Sequence, residues 1–363
     1  MDMSNNPTAA ILALFYGLLL KELLAVAFVA VFMFLLRRRH QDRVISHVME
    51  DEVPGRRLLR GAFGGLWILD GLLQAQPAMS SEFVPHYLVP ILNGQPIGIA
   101  NLMERGIIVW AGHPIFWDTM TVWAQIFLGL MILVGRDTRL GRVGLWASIG
   151  WSLIVWVMGE GLGGLFVPGN NTWLTGTPGS VVFYGIAAWL LLVSPNRWRI
   201  GSIQKRMRWI VGGLWLGLAM LQAWPGNGFW SARVLAGPTI NMAEMAQPSW
   251  VSAPLYATGN ILLRYPHAMN GIITIVMAVL GIGWLWKGGR QIAIASMLWA
   301  FITWWLGQDF GVLGGLGTDP NSGLPMIFVM SASIMVSNAP QKLKNPTGKD
   351  VEMGAVSMTD GTG

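Results

Sequence analysis

The sequence predicts an all-α, polytopic membrane helix bundle: one N-terminal anchor helix plus two parallel tandem four-helix repeats, about nine transmembrane helices. Three observations predict it. The 363 residues are 53% hydrophobic and 12% charged, with a mean hydropathy of +0.51, which does not suit a water-facing surface. The apolar residues fall into nine runs. Residues 57–338 read as two copies of one unit at a shift of about 148 residues.

The first run, Ala9 to Leu36, ends against Arg37, Arg38, Arg39 and His40 without a small-residue cleavage site. It reads as a retained anchor. Lys21 and Glu22 interrupt it, a cost at bilayer depth that snorkelling of Lys21 relieves. Further apolar segments follow at about 61–77, 114–134, 143–166, 180–193, 209–225, 267–286, 292–312 and 324–336. Spanning a bilayer takes about 20 helical residues, so the shorter ones extend into flanking turns. They are helices because a barrel would need strands alternating in polarity.

Twenty of the 24 Lys and Arg residues fall on one side of this arrangement, leaving Lys21, Arg105, Arg233 and Arg264. Positive charge marks the cytoplasmic side, so the N-terminus is expected outside and the C-terminus in the cytoplasm of a bacterial or archaeal cell (inner) membrane. The net charge of +6 therefore reports topology and lipid contact, not nucleic acid.

The repeat carries the architecture. Gly64–Trp67 (GGLW) recurs at Gly212–Trp215, and Leu73-Gln74-Ala75 with Pro77 recurs as Leu221-Gln222-Ala223 with Pro225. After a four-residue slip, Gln95-Pro96 matches Gln247-Pro248 and Leu128-Gly129 matches Leu280-Gly281. The slip is undone across the turn GRDTRLGR, which has eight residues where KGGR has four, so Trp156, Gly159 and Gly163 match Trp304, Gly307 and Gly311 at 148 again. Length changes confined to loops suit a duplication, and four helices per unit make the copies parallel. The expected divisions are 1–56, anchor and cytoplasmic linker; 57–195 and 196–338, the two repeats; and 339–363, a disordered cytoplasmic tail. The loops Ala78–His113 and Gly226–Pro266 are too apolar for solvated linkers and are expected to fold back over the outer face.

The succession RLLRGAFGGLWILDGLLQAQP, a long loop, FLGLMILVGRDTRLGRVGLWASI and two further helices resembles the DoxX/DoxD-like four-helix membrane family, here duplicated. The resemblance covers Arg57 to about Pro195 and, more loosely, Arg206 to about Val336. That family includes membrane subunits linked to thiosulfate:quinone oxidoreduction and to thiol and superoxide defence, which implies a redox role near the quinone pool. Such proteins commonly carry an acidic residue one turn before the glycine of the second helix, where this chain has Gln125 and Met277.

The candidate chemistry sits in GEGLGGLF (159–166) and GQDFGVLGG (307–315). Glu160 and Asp309 are candidates for proton handling, because a carboxylate at membrane depth is costly without a partner. A structural reading competes: Glu160 accepts backbone N–H groups from the glycine turns. Trp156, Trp304, Gln308, Gln74 and Gln222 are candidate ligand-binding residues, the glutamines doubling as interhelical hydrogen bonders. His113 and His267 begin the same helix in their units and are candidate copper or haem ligands with methionines, though no pair shows a metal spacing. Zero cysteines exclude disulfides, thiolate sites and thiol redox chemistry. Walker, Rossmann, nucleophile-elbow and zinc-protease patterns are absent.

Two functions fit. The chain is expected to be a membrane subunit of a redox system that binds a quinone or similar ligand near the outer face and works with other protein subunits there. The alternative is a non-catalytic scaffold, or a transporter of a small solute or lipid, built from parallel repeats.

Overall fold

The computed structural model describes residues 9–38, 52–76, 78–245, 247–311 and 317–337, and two short strands at 342–344 and 350–352. Of 26–38, 337 and the strands only the backbone is described. The protein is helical apart from β1 (Lys342–Lys344) and β2 (Asp350–Glu352), which pair antiparallel in the tail with Leu343 opposite Val351.

Helix α1 (Ala9–Arg38) lies along α5 (Pro114–Gly135). Glu22 faces α5, where the Thr119 hydroxyl donates to it at 3.1 Å, and the Trp123 indole donates to the Leu19 carbonyl at 3.2 Å. Lys21 points away and is exposed, as a snorkelling residue would be.

Helix α2 (Pro54–Gln74) packs against α5 through glycines. A Cβ on Gly129 would stand 2.4 Å from the Gly64 carbonyl oxygen, so only a bare backbone allows this approach. The second half of the chain repeats the contact: α9 (Ile203–Ala223) packs on α12 (Pro266–Trp286), with Gly212 against Leu285 and Gly281 against Leu216. Small residues at helix crossings are the membrane solution to association without a hydrophobic driving force. Helices α6 (Arg139–Met158) and α7 (Ser180–Leu192) form the next pair, and α13 (Arg290–Leu306) and α14 (Gly323–Ser337) form its counterpart. The short α8 (Pro195–Arg199) joins α7 to α9.

All nine apolar segments fall on helices, namely α1, α2, α5, α6, α7, α9, α12, α13 and α14. Among the described residues, α5, α6 and α12 are long and apolar enough to cross a membrane, and α7 and α14 are shorter apolar helices. The two long loops are themselves helical: α3 (Met79–Phe83), a π turn and α4 (Ile97–Gly112) in the first, α10 (Ala232–Ala243) and α11 (Ser249–Arg264) in the second.

One continuous core runs from Val53 to Val336. Two of its indoles are anchored by serine hydroxyls: Trp67 donates to Ser148 and Trp284 to Ser296, each at 2.8 Å. Helix α14 ties the halves together, since it packs on α2, α7 and α9 and puts the Ala332 carbonyl where a Gly55 side chain would be. Outward-facing Trp146, Met220 and Trp286 are exposed at 64%, 73% and 84%, an apolar surface that suits lipid.

At the arginine-rich end, Arg56 is 2% exposed and donates to Glu52, Asp137 and the Leu191 carbonyl. Burial pushes the Asp137 carboxyl up, but the Arg56 hydrogen bond and the charges of Arg56, Arg60 and Arg142 more than offset it and leave the group below the ordinary range. Arg208 caps the last carbonyls of α12, donating to Trp284, Leu285 and Trp286 at 3.1, 2.8 and 2.6 Å.

Candidate functional site

The segments expected to run as helices to Phe166 and Val312 stop at Met158 and Leu306. Glu160, Gln308 and Asp309 therefore lie in turns. Both turns hold a run of residues in the left-handed region: Gly161, Leu162, Gly163 and Gly164 at φ 56°, 57°, 60° and 70°, then Asp309, Phe310 and Gly311 at 52°, 56° and 73°. A left-handed non-glycine residue costs of order 1–3 kcal/mol and persists only where its surroundings hold it.

Hydrogen bonds do the holding. The Trp156 indole donates to the Pro178 carbonyl at 2.7 Å and the Trp304 indole to the Pro320 carbonyl at 2.6 Å. Glu160 Oε1 accepts from the Ser180 hydroxyl at 2.6 Å and from the Val181 amide at 3.2 Å, which satisfies the open start of α7. Gln308 Oε1 accepts from the Gly323 amide at 2.9 Å at the start of α14, while its Nε2 donates to the Trp173 carbonyl at 2.7 Å. Trp173 in turn donates to Thr303 at 2.6 Å. The competing structural role for Glu160 is thus present, and Trp156 and Trp304, expected to wall a ring pocket, instead staple the turns.

A cavity of about 340 Å³ opens between the two turns. Glu160, Gln308, Asp309, Asp319, Asn170 and Tyr87 line it, and among the described residues no basic side chain does. Burial, then the neighbouring Asp319 charge, raises Glu160 to about 8, against hydrogen bonds from Ser180 and Val181. Burial likewise raises Asp319. Asp309 is 1% exposed, and burial raises it to about 6 despite Gln247 beside it. Burial and Asp319 push the Tyr87 phenol up to about 12. At neutral pH Glu160 therefore keeps a proton that an ordinary carboxylate would have released.

A second, more enclosed pocket of about 160 Å³ adjoins it, sharing Tyr87, Glu160 and Asp319. Its walls are aromatic and aliphatic, with Phe83, Trp110, Ile107, Trp151, Val155 and Met158. Its polar groups are Asp70, Gln74, Thr121 and Gln125 besides the shared carboxylates. Four atoms of lining residues are buried with no hydrogen-bond partner: Asp70 Oδ1, Gln125 Oε1, the Trp151 indole N–H and Glu160 Oε2. Gln74 donates to Asp118 at the edge of this site. Its counterpart Gln222 lines neither pocket; it donates to Asn270 at 2.7 Å and accepts from Thr172 at 2.5 Å.

His113 is the N-cap of α5 and His267 lies in the first turn of α12; both are exposed and line neither pocket. Among the described residues no three His, Asp or Glu side chains gather as a metal site. Sequence reasoning missed Asp70, Asp118 and Asp319. The first two had a legible signal, a lone carboxylate inside an apolar run. Asp319 had none, because only folding brings it beside Glu160.

No family model, curated protein or solved structure matches this chain. Its function therefore rests on the chemistry of these two pockets.

Proposed function

We propose that this protein is a nine-span membrane subunit built from an anchor and two parallel four-helix units, which binds a quinone-class ring in the pocket beside Asp70 and Gln125. The recurrence of the φ pattern, the Trp-to-Pro staples and the glycine crossings in both halves supports the duplication. The observation that carries the ligand reading is the set of four unpartnered buried polar atoms on one aromatic-walled pocket. Buried polar atoms are normally satisfied, and leaving one unsatisfied costs about 1–3 kcal/mol. A ring bearing two oxygens answers both polarities: the Trp151 N–H donates to a quinone carbonyl, and Gln125 Oε1 and Asp70 Oδ1 accept from a quinol hydroxyl.

Reduction of a quinone to a quinol takes two electrons and two protons. The chain has no thiol, so the electrons come from a partner subunit docked at the outer face. The protons pass along Asp70, Glu160 and Asp319, and the last two also border the wider cavity. Binding is favoured over transport because the opposite half of the bundle is filled by Leu59, Phe63, Trp67, Leu145 and Leu190.

The test is titration of nanodisc-embedded protein with a short-chain ubiquinone, followed by quenching of tryptophan fluorescence. Saturable binding, weakened about tenfold in Gln125→Leu and in Trp151→Phe, is expected from the loss of one hydrogen bond each. No saturation, or variants that bind as tightly as the parent, would remove the reading.

A further inference from the structure

We infer that the groove where α7, α8 and α9 meet is a binding site for the headgroup of an anionic phospholipid. It lies at the opposite end of α7 from Glu160, has a volume of about 650 Å³, and is lined by Trp189, Arg197, Ile200, Lys205, Arg206 and Trp209 among others. No acidic residue lines it.

Charge is the first argument. From 161 to 243 the chain holds six basic residues and no Asp or Glu. Of these, Arg208 is engaged with the α12 carbonyls and Arg199 with Asn196. Arg197 and Lys205 are exposed and make no ion pair among the described residues, so their charge is open to an external anion. Arg206 is held over the Trp189 ring at 5.2 Å, a cation–π contact that fixes its guanidinium at the groove. A fixed guanidinium presents a paired set of donors suited to a phosphate.

Shape and polarity name the source of that phosphate. Trp189, Ile200 and Trp209 are exposed at 41%, 70% and 62% beside the basic groups. Lys205 and Trp209 are four residues apart on α9, as are Arg206 and Ile210, so each basic group is followed one turn on by an apolar one. Cation at the helix end, aromatic and aliphatic surface further along, is the order a phospholipid presents from phosphate to acyl chain. A free phosphate would have no use for the exposed indoles.

The experiment uses the full-length protein, delipidated in a neutral detergent, with phosphatidylglycerol and phosphatidylcholine added separately and bound lipid counted by native mass spectrometry. Retention of phosphatidylglycerol over phosphatidylcholine is expected. Each basic residue near a lipid surface contributes about 1 kcal/mol, roughly fivefold, so Arg197→Gln with Lys205→Gln should weaken phosphatidylglycerol binding about 25-fold. Neither side chain has an ion-pair partner among the described residues to lose, so this variant should fold, and Trp209→Leu should weaken both lipids modestly. Equal retention of the two lipids, an unchanged affinity in the double variant, or displacement of phosphatidylglycerol by millimolar inorganic phosphate would each overturn the assignment.

Discussion

Glu160 and Gln308 hold the same post in the two halves of the chain, each accepting a hydrogen bond from a backbone amide at the start of the next helix, Val181 at 3.2 Å and Gly323 at 2.9 Å. The difference between them is one ionisable proton. A carboxylate stands on the side that adjoins the Asp70 pocket, and a neutral amide stands on the other.

Glu160→Gln should therefore fold, because Gln308 shows that an amide makes the same cap. What should change is the response to pH. Glu160 and Asp309 are raised to about 8 and about 6 in the fold, whereas an unfolded chain releases carboxyl protons near pH 4. Between those values the folded state binds more protons at these two groups than the unfolded one, so their contribution to stability is full below about pH 4 and falls as pH rises through 6 and 8. Thermal unfolding in detergent from pH 4 to 9 should show this decline, and Glu160→Gln should flatten its upper part. An identical slope in the variant would contradict the raised carboxyl.

Gly179→Ala should be among the most damaging small substitutions. Gly179 has φ 106°, and a Cβ there would stand 2.1 Å from Glu160 Oε2. Backbone strain and displacement of the carboxylate together should cost roughly 2–4 kcal/mol. Gly185→Ala, whose new methyl would meet nothing closer than Ser152 at 3.7 Å, is the control in the helix that Gly179 precedes and should leave the melting temperature unchanged.

At the α2–α5 crossing, Gly129→Ala should lower stability by a few kcal/mol, about what overpacking a tight contact costs, since the new methyl would meet the Gly64 carbonyl oxygen. Gly65→Ala, one residue from the crossing, has open space and should be silent. Detergent-resistance assays on the two variants separate a specific crossing from a general intolerance of bulk.

Arg56→Ala should cost about 1–3 kcal/mol, because it takes its donor from the buried Leu191 carbonyl at a site where the guanidinium is nearly fully buried, while Glu52 keeps its ion pair with Arg60 at 2.9 Å. Arg57→Ala, whose one bond reaches the Glu52 carbonyl at the surface, should cost under 1 kcal/mol. Chemical denaturation of both variants in the same micelle measures the contrast.

Much of the fold was legible beforehand. The apolar runs marked the helices, whereas GGLW, Gly129 and Gly281 were legible only as a repeated frame, and it is the structure that puts these glycines at the helix crossings. The helix ends were less legible. Val143–Phe166 reads as one run by hydropathy, yet the helix stops at Met158 and four left-handed residues, Gly161 to Gly164, follow, and hydropathy carries no information about φ. The site was legible only in part: Glu160, Gln308 and Asp309 do border one cavity, whereas Trp156 and Trp304 proved to be staples.

By itself the sequence determined the helical membrane class, the repeating frame and the gathering of basic residues at loops, since these follow from composition and period. Tertiary structure alone decided that Asp319, 159 positions along the chain from Glu160, would raise its pKa, and that Asp70, Gln125 and Trp151 would share one pocket. Such pairings are made by the angles at which helices cross, and a crossing angle is set by side-chain packing across the interface, which no single segment encodes.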